Sequence, residues 1–201
     1  LPYVALNAPC GPHGAAVLFD DVQGARLAMQ HLFDLGHRRI AYANADAPHH
    51  PSLAIRHQAY VDFLHEAGLS PVRVPEYCKM EDPVAFLQAI RRAGATAVLT
   101  YYHHSAIRLC HAAVQLGLNV PRDLSVVCFN DAFGVDSLNP ALTAISLPHH
   151  SAGRAAATML LQLIRGEKIE KRVISLPEKL IVRESSGPVP VMPAKKRRAS
   201  R

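Results

Sequence analysis

The chain has 201 residues, 49% hydrophobic and 19% charged, an ordinary balance for a globular protein able to bury a sizeable core. Its net charge of +6 points to nucleic acid only until the charges are located, because Lys195, Lys196, Arg197, Arg198 and Arg201 carry five of them. The rest is close to neutral and has no clustered basic stretch, which argues against a folded phosphate-binding surface. No secretory signal and no apolar run of membrane-spanning length occurs, so a cytoplasmic location is the default expectation. The four cysteines lack C-x-x-C spacing, and Cys110 and Cys128, set in apolar runs, are expected to be reduced. The chain starts at Leu1 and enters a strand-like run almost at once, which reads as a fragment of a longer protein.

In chain order, Pro2 to Asn7 is strand-like and Ala16 to Phe19 a second short strand. Asp20 or Asp21 caps a helix with apolar residues at Ala25, Ala28, Met29, Leu32 and Leu35, stopped by Gly36. Ile40 to Ala45 is a strand, and Ser52 caps a helix ending before Gly68. Val72 to Val74 reads as a short strand, and Asp82-Pro83 opens a helix that ends at Gly94. Thr96 to Tyr101 is a strand, His104 to Leu116 a helix, and Leu124 to Phe129 a strand buried on both faces. Ala144 to Leu147 forms a crossing segment. A helix over Ser151 to Ile164 and strands at Arg172 to Leu176 and Lys179 to Arg183 follow. This alternation predicts right-handed βαβ units in a parallel sheet, four strands of it between Ile40 and Phe129.

Ligands of open α/β sheets sit outside the carboxyl ends of the strands. Those ends supply Asp46, His49 and His50, then Tyr102, His103 and His104, then Asn130 and Asp131, with Arg56 close by on a helix. Amide, carboxylate, guanidinium and aromatic groups on one rim suit a hydroxyl-rich small ligand. Each of them could equally cap a helix or lie solvated in a loop. The pairs His49-His50, His103-His104 and His149-His150 lack i, i+4 spacing and a C-x-x-C companion, so no metal site is expected. No G-x-S-x-G, G-x-G-x-x-G or P-loop occurs, and neither an enzyme nor a bound cofactor is expected.

Several motifs together resemble the effector domain of the lactose/galactose repressor family of bacterial transcription regulators. They are Asp20-Asp-Val-Gln-Gly-Ala-Arg-Leu-Ala28, Leu35-Gly-His-Arg-Arg-Ile-Ala41, Arg56-x-x-x-Tyr60, Gly117-Leu-Asn-Val-Pro-Arg-Asp-Leu-Ser-Val-Val127, Pro140-Ala-Leu-Thr143 and Leu176-Pro-x-x-Leu-Ile-Val-Arg-x-Ser185. The set runs in order over roughly residues 3–186. The resemblance implies a periplasmic-binding-protein-like α/β fold of type I, with parallel sheets flanked by helices and two subdomains around a cleft. It places residues 1–36 and 145–167 in a partial N-terminal subdomain and 37–144 and 168–186 in the C-terminal one, with 187–201 a disordered basic tail. It also implies a homodimer, a small-molecule effector such as a sugar or sugar derivative, and operator DNA bound through a helix-turn-helix domain absent from this chain.

By position, the resemblance makes Arg56, Asn130 and Asp131 effector contacts. Tyr102-His103 replaces the family's usual Asn-Asp pair, which argues against a standard hexose or purine, although a tyrosine can stack on a sugar face. Tyr77 and Gln23 are further candidates. A solute-binding protein of a sugar transporter is the alternative from outside the regulators.

Overall fold

The structure is a computed structural model that describes residues 1–44, 50–74, 80–132 and 134–189. Its strands are β1 (Val4–Leu6), β2 (Ala15–Phe19), β3 (Ile40–Ala43), β4 (Ala97–Thr100), β5 (Ser125–Phe129), β6 (Thr143–Ser146), β7 (Val173–Leu176) and β8 (Lys179–Ile181). Its helices are α1 (Asp21–Asp34), α2 (Pro51–Glu66), α3 (Pro83–Arg92), α4 (His103–Gln115) and α5 (His149–Ile164). The strands form two sheets, a three-stranded one ordered β1-β2-β7 and a five-stranded one ordered β3-β4-β5-β6-β8. Every pairing is parallel except β6 with β8.

The larger sheet is covered on both faces. α1 and α2 bury Met29, Leu32, Tyr60, Phe63 and Leu64 on one side, while α3 and α4 bury Phe86, Leu87, Ile90 and Leu109 on the other. That double cover explains the unbroken apolar run of β5, all of whose residues are buried. Burying each large aliphatic or aromatic side chain contributes roughly 1.5–3 kcal/mol, so these two layers hold most of the stability. The smaller sheet packs Ala15, Val17 and Phe19 against Ala152, Ala156 and Met159 of α5.

The structure corrects several expectations. Residues 72–74 form no strand, so β3, β4 and β5 are neighbours with three strands, not four, between Ile40 and Phe129. α1 does not cover the first sheet with residues 1–19; it packs on α2 and on β4, β5, β6 and β8. β6 is no mere crossing segment but a parallel strand of the larger sheet, and β7 pairs with β2 instead of joining the C-terminal subdomain. An apolar helix stripe says that a face is covered, not which sheet covers it. The helix at Pro51 is capped by His50, whose Nδ1 accepts from the Ser52 amide, so Ser52 is not the cap.

Residues 187–189 are also not a loose tail. The Gly187 carbonyl bonds His37 and Ser125, and the Val189 amide donates to the Leu35 carbonyl. Residues 190–201 lie outside the described part of the chain. Cys128 is buried and Cys110 half-buried, both as free thiols whose pKa burial pushes upward. No helix among the described residues is long and apolar enough to cross a membrane.

Candidate ligand cleft

Because β3, β4 and β5 run parallel in register, their carboxyl ends share one edge, and α2 starts beside it. Arg56, in the second turn of α2, is only 2% exposed. Its Nε donates to Asp21 Oδ1 at 2.6 Å, and its Nη1 donates to the Tyr101 carbonyl at 2.9 Å. Its Cζ lies 4.0 Å above the centre of the Phe129 ring. One guanidinium therefore ties the start of α1 to α2 and to the ends of β4 and β5, as only a planar, multidentate cation can. The Ser52 hydroxyl adds a further tie, 2.8 Å from the Tyr101 hydroxyl and 2.6 Å from His50 Nδ1.

A cavity of about 180 Å³ lies beside this cluster. Asn7 and Phe19 line it from the smaller sheet, and Asp21, Ser52 and Ile55 from the starts of α1 and α2. On the neighbouring rim three buried polar atoms have no hydrogen-bond partner among the described residues: Asn130 Oδ1 after β5, His103 Nδ1 after β4 and the Tyr42 hydroxyl in β3. Asn130 holds φ at +67°, a left-handed conformation that asparagine tolerates better than most residues. Burial, with the neighbouring His104 adding to it, lowers the His103 pKa, and burial pushes the Tyr42 phenol well above its usual range. Both groups are therefore neutral in the physiological range.

The other expected residues are placed less directly. Tyr102 caps α4 without a side-chain bond, and its ring stacks on His104 with centroids 5.3 Å apart. Asp131 pairs with Arg183 at 2.8 Å instead of facing Arg56. Gln23 spends its amide on the backbone of Glu178, donating to its carbonyl and accepting from its N–H. Asp46, His49 and Tyr77 lie outside the described residues. Sequence reasoning missed Asp21, Ser52 and Tyr101 as members of the cluster, and Asn7 and Phe19 as walls of the cavity. Asp21 reads as a first-turn helix acid, and no sequence signal reveals that a buried arginine faces it.

The sequence matches the family described as periplasmic binding protein-like domain over residues 29–186. That match spans most of the chain. The chain belongs to this family, as an effector-binding domain of the lactose/galactose repressor type. It is 36% identical over 202 residues to the arabinose metabolism transcriptional repressor of Geobacillus stearothermophilus, covering 92% of this chain and 54% of that one. A LacI family transcriptional regulator from Mycobacterium smegmatis superposes with a TM-score of 0.75 at 31% identity, covering 92% of this chain and 70% of that one. The regulator CelR, solved as a cellobiose complex, gives 0.77 at 27%, covering 92% and 59%. The chain spans about half the length of the curated relatives it matches. Those relatives are transcriptional regulators, and a transporter's solute-binding protein is not favoured.

Proposed function

We propose that this chain is the effector-binding and dimerising part of a cytoplasmic, DNA-binding transcriptional regulator without enzymatic activity, and that it takes an uncharged, sugar-like effector. Operator recognition falls to a helix-turn-helix domain outside these 201 residues. The observation that carries the reading is the set of buried atoms Asn130 Oδ1 and His103 Nδ1, which have no partner among the described residues, at adjacent strand ends. A buried polar atom without a partner costs about 1–3 kcal/mol, and a hydroxylated ligand supplies the missing bonds.

The ligand's neutrality rests on Arg56. With Asp21 at 2.6 Å its charge is already balanced, so it offers an anionic sugar little net attraction. Tyr102 and Tyr77 are assigned to stacking on the ligand, while Gln23 and Asp131 act through the loops they hold. The printed names of an arabinose-metabolism repressor and a cellobiose complex support the sugar class. Effector binding would select one arrangement of the two sheets and so change operator affinity.

Calorimetry with neutral pentoses, hexoses and disaccharides beside the matching sugar acids and phosphates tests the reading. Neutral sugars are expected to bind more tightly, and N130G, which keeps the left-handed backbone, and H103A to weaken them at least tenfold without lowering the melting temperature. Preference for the acids, or unchanged affinity in both variants, overturns the assignment.

A further inference from the structure

Glu178 lies in the two-residue link between β7 of the smaller sheet and β8 of the larger one. It is 2% exposed, yet neither carboxyl oxygen has a hydrogen-bond partner among the described residues. The side chain fills a notch that exists only because residue 24 is glycine. A Cβ built on Gly24 would stand 1.6 Å from Oε2 and 3.1 Å from Cγ2 of Ile145 in β6. The Gln23 amide clamps the Glu178 backbone from both sides, at 3.2 and 2.9 Å. The first turn of α1 therefore grips the link between the sheets by its backbone and swallows its one acidic side chain.

We propose that Glu178 is a proton-operated latch between the two sheets: the neutral acid seats in the Gly24 notch and holds the link closed, and its ionisation expels the carboxylate and loosens one sheet from the other. The charged groups that face it come from α1 and α2. Asp20, which caps α1, and Asp21 in its first turn repel a carboxylate there, and Arg56 on α2 attracts one. Arg56, however, is already bound to Asp21, and no donor among the described residues reaches the Glu178 oxygens. An anion in the notch has lost its hydration without gaining a hydrogen bond, the most costly state for a buried charge. Burial first, then Asp21, raises the carboxyl pKa from 4.5 to about 8. The latch is shut through the neutral range and opens above it. The latch stands independently of the effector assignment, because it needs no ligand.

The folded state holds a proton that the unfolded chain releases above its ordinary glutamate value. The stabilising contribution is therefore complete below about pH 4.5 and is lost as pH rises to about 8. In the isostere E178Q the side chain cannot ionise. The test compares this chain with E178Q in urea melts and in small-angle scattering between pH 5 and 9. The folding constant of the native chain relative to E178Q is expected to fall about tenfold per pH unit between about 5 and 8. The native chain is also expected to expand with a midpoint near pH 8, and E178Q to keep one scattering profile throughout. Equal pH profiles for the two proteins overturn the latch. A stability difference without expansion does too, since Glu178 is then only a buried acid. If E178Q does not fold, carboxyl-carbon NMR of the labelled native chain decides: coincident midpoints for the Glu178 titration and the expansion support the latch, and separate midpoints overturn it.

Discussion

Arg56 shows how much one side chain can organise. Its Nε and Nη1 bonds and its stacking on Phe129 join four elements, at a position with almost no contact with water. Removing one partner of such a pair strands the other charge in the interior, a loss of about 3–5 kcal/mol. R56M is expected to lose that much in urea denaturation. The double variant R56M/D21N is expected to recover a large part of it, because no unpaired carboxylate remains. R56K is expected to fall in between, since an ammonium cannot make the forked contact. Equal losses for R56M and the double variant would show that packing on Phe129, and not the pair, sets the cost.

At the scale of elements, the strap that follows β8 is informative. Ser185 bridges two strands, its Oγ accepting from the Thr143 amide and donating to the Val126 carbonyl. His37 then joins the strap to β4 and β5: it lies 2.9 Å from Thr96 Oγ1, 3.1 Å from Ser125 Oγ and 3.0 Å from the Gly187 carbonyl. It is fully buried, and burial lowers its pKa below 6.5 despite the Gly187 bond. The folded state thus binds this proton more weakly than the unfolded one, so the contribution is present above about pH 6.5 and lost as pH falls below it. H37Q is expected to be less stable at pH 7.5 and to show a flatter loss between pH 6.5 and 5, measured by thermal denaturation. A parallel decline in both proteins would place the acid sensitivity elsewhere.

At the scale of the molecule, the outer face of α4 leaves apolar surface uncovered. Ile107 and Val114 are 37% and 72% exposed beside a groove of about 250 Å³ lined by Cys110, Leu118, Leu138 and Pro140. If the proposed homodimer forms through this face, a two-fold axis would pair it with itself. V114D is expected to weaken self-association at least tenfold in sedimentation equilibrium while leaving the melting temperature of the monomer unchanged, because the side chain has no core role. An unchanged association constant would move the interface to another face.

The elements were largely legible in the sequence. Asp20 before a helical stripe, Asp82-Pro83 and the apolar run into Phe129 each carry a local signal that depends on neighbours within a few residues. So was the ordered set of motifs, which names the family without any geometry. Partners far apart in the chain were not legible. Only packing decides that α1 covers the larger sheet, that β7 and β8 part to different sheets, and that Asp131 turns to Arg183 while Asp21 takes Arg56. The same holds for the notch at Gly24, because the side chain that fills it lies 154 positions away. Local sequence sets backbone preference and burial period, whereas the pairing of charges and the choice of sheet depend on distances that only the closed fold creates.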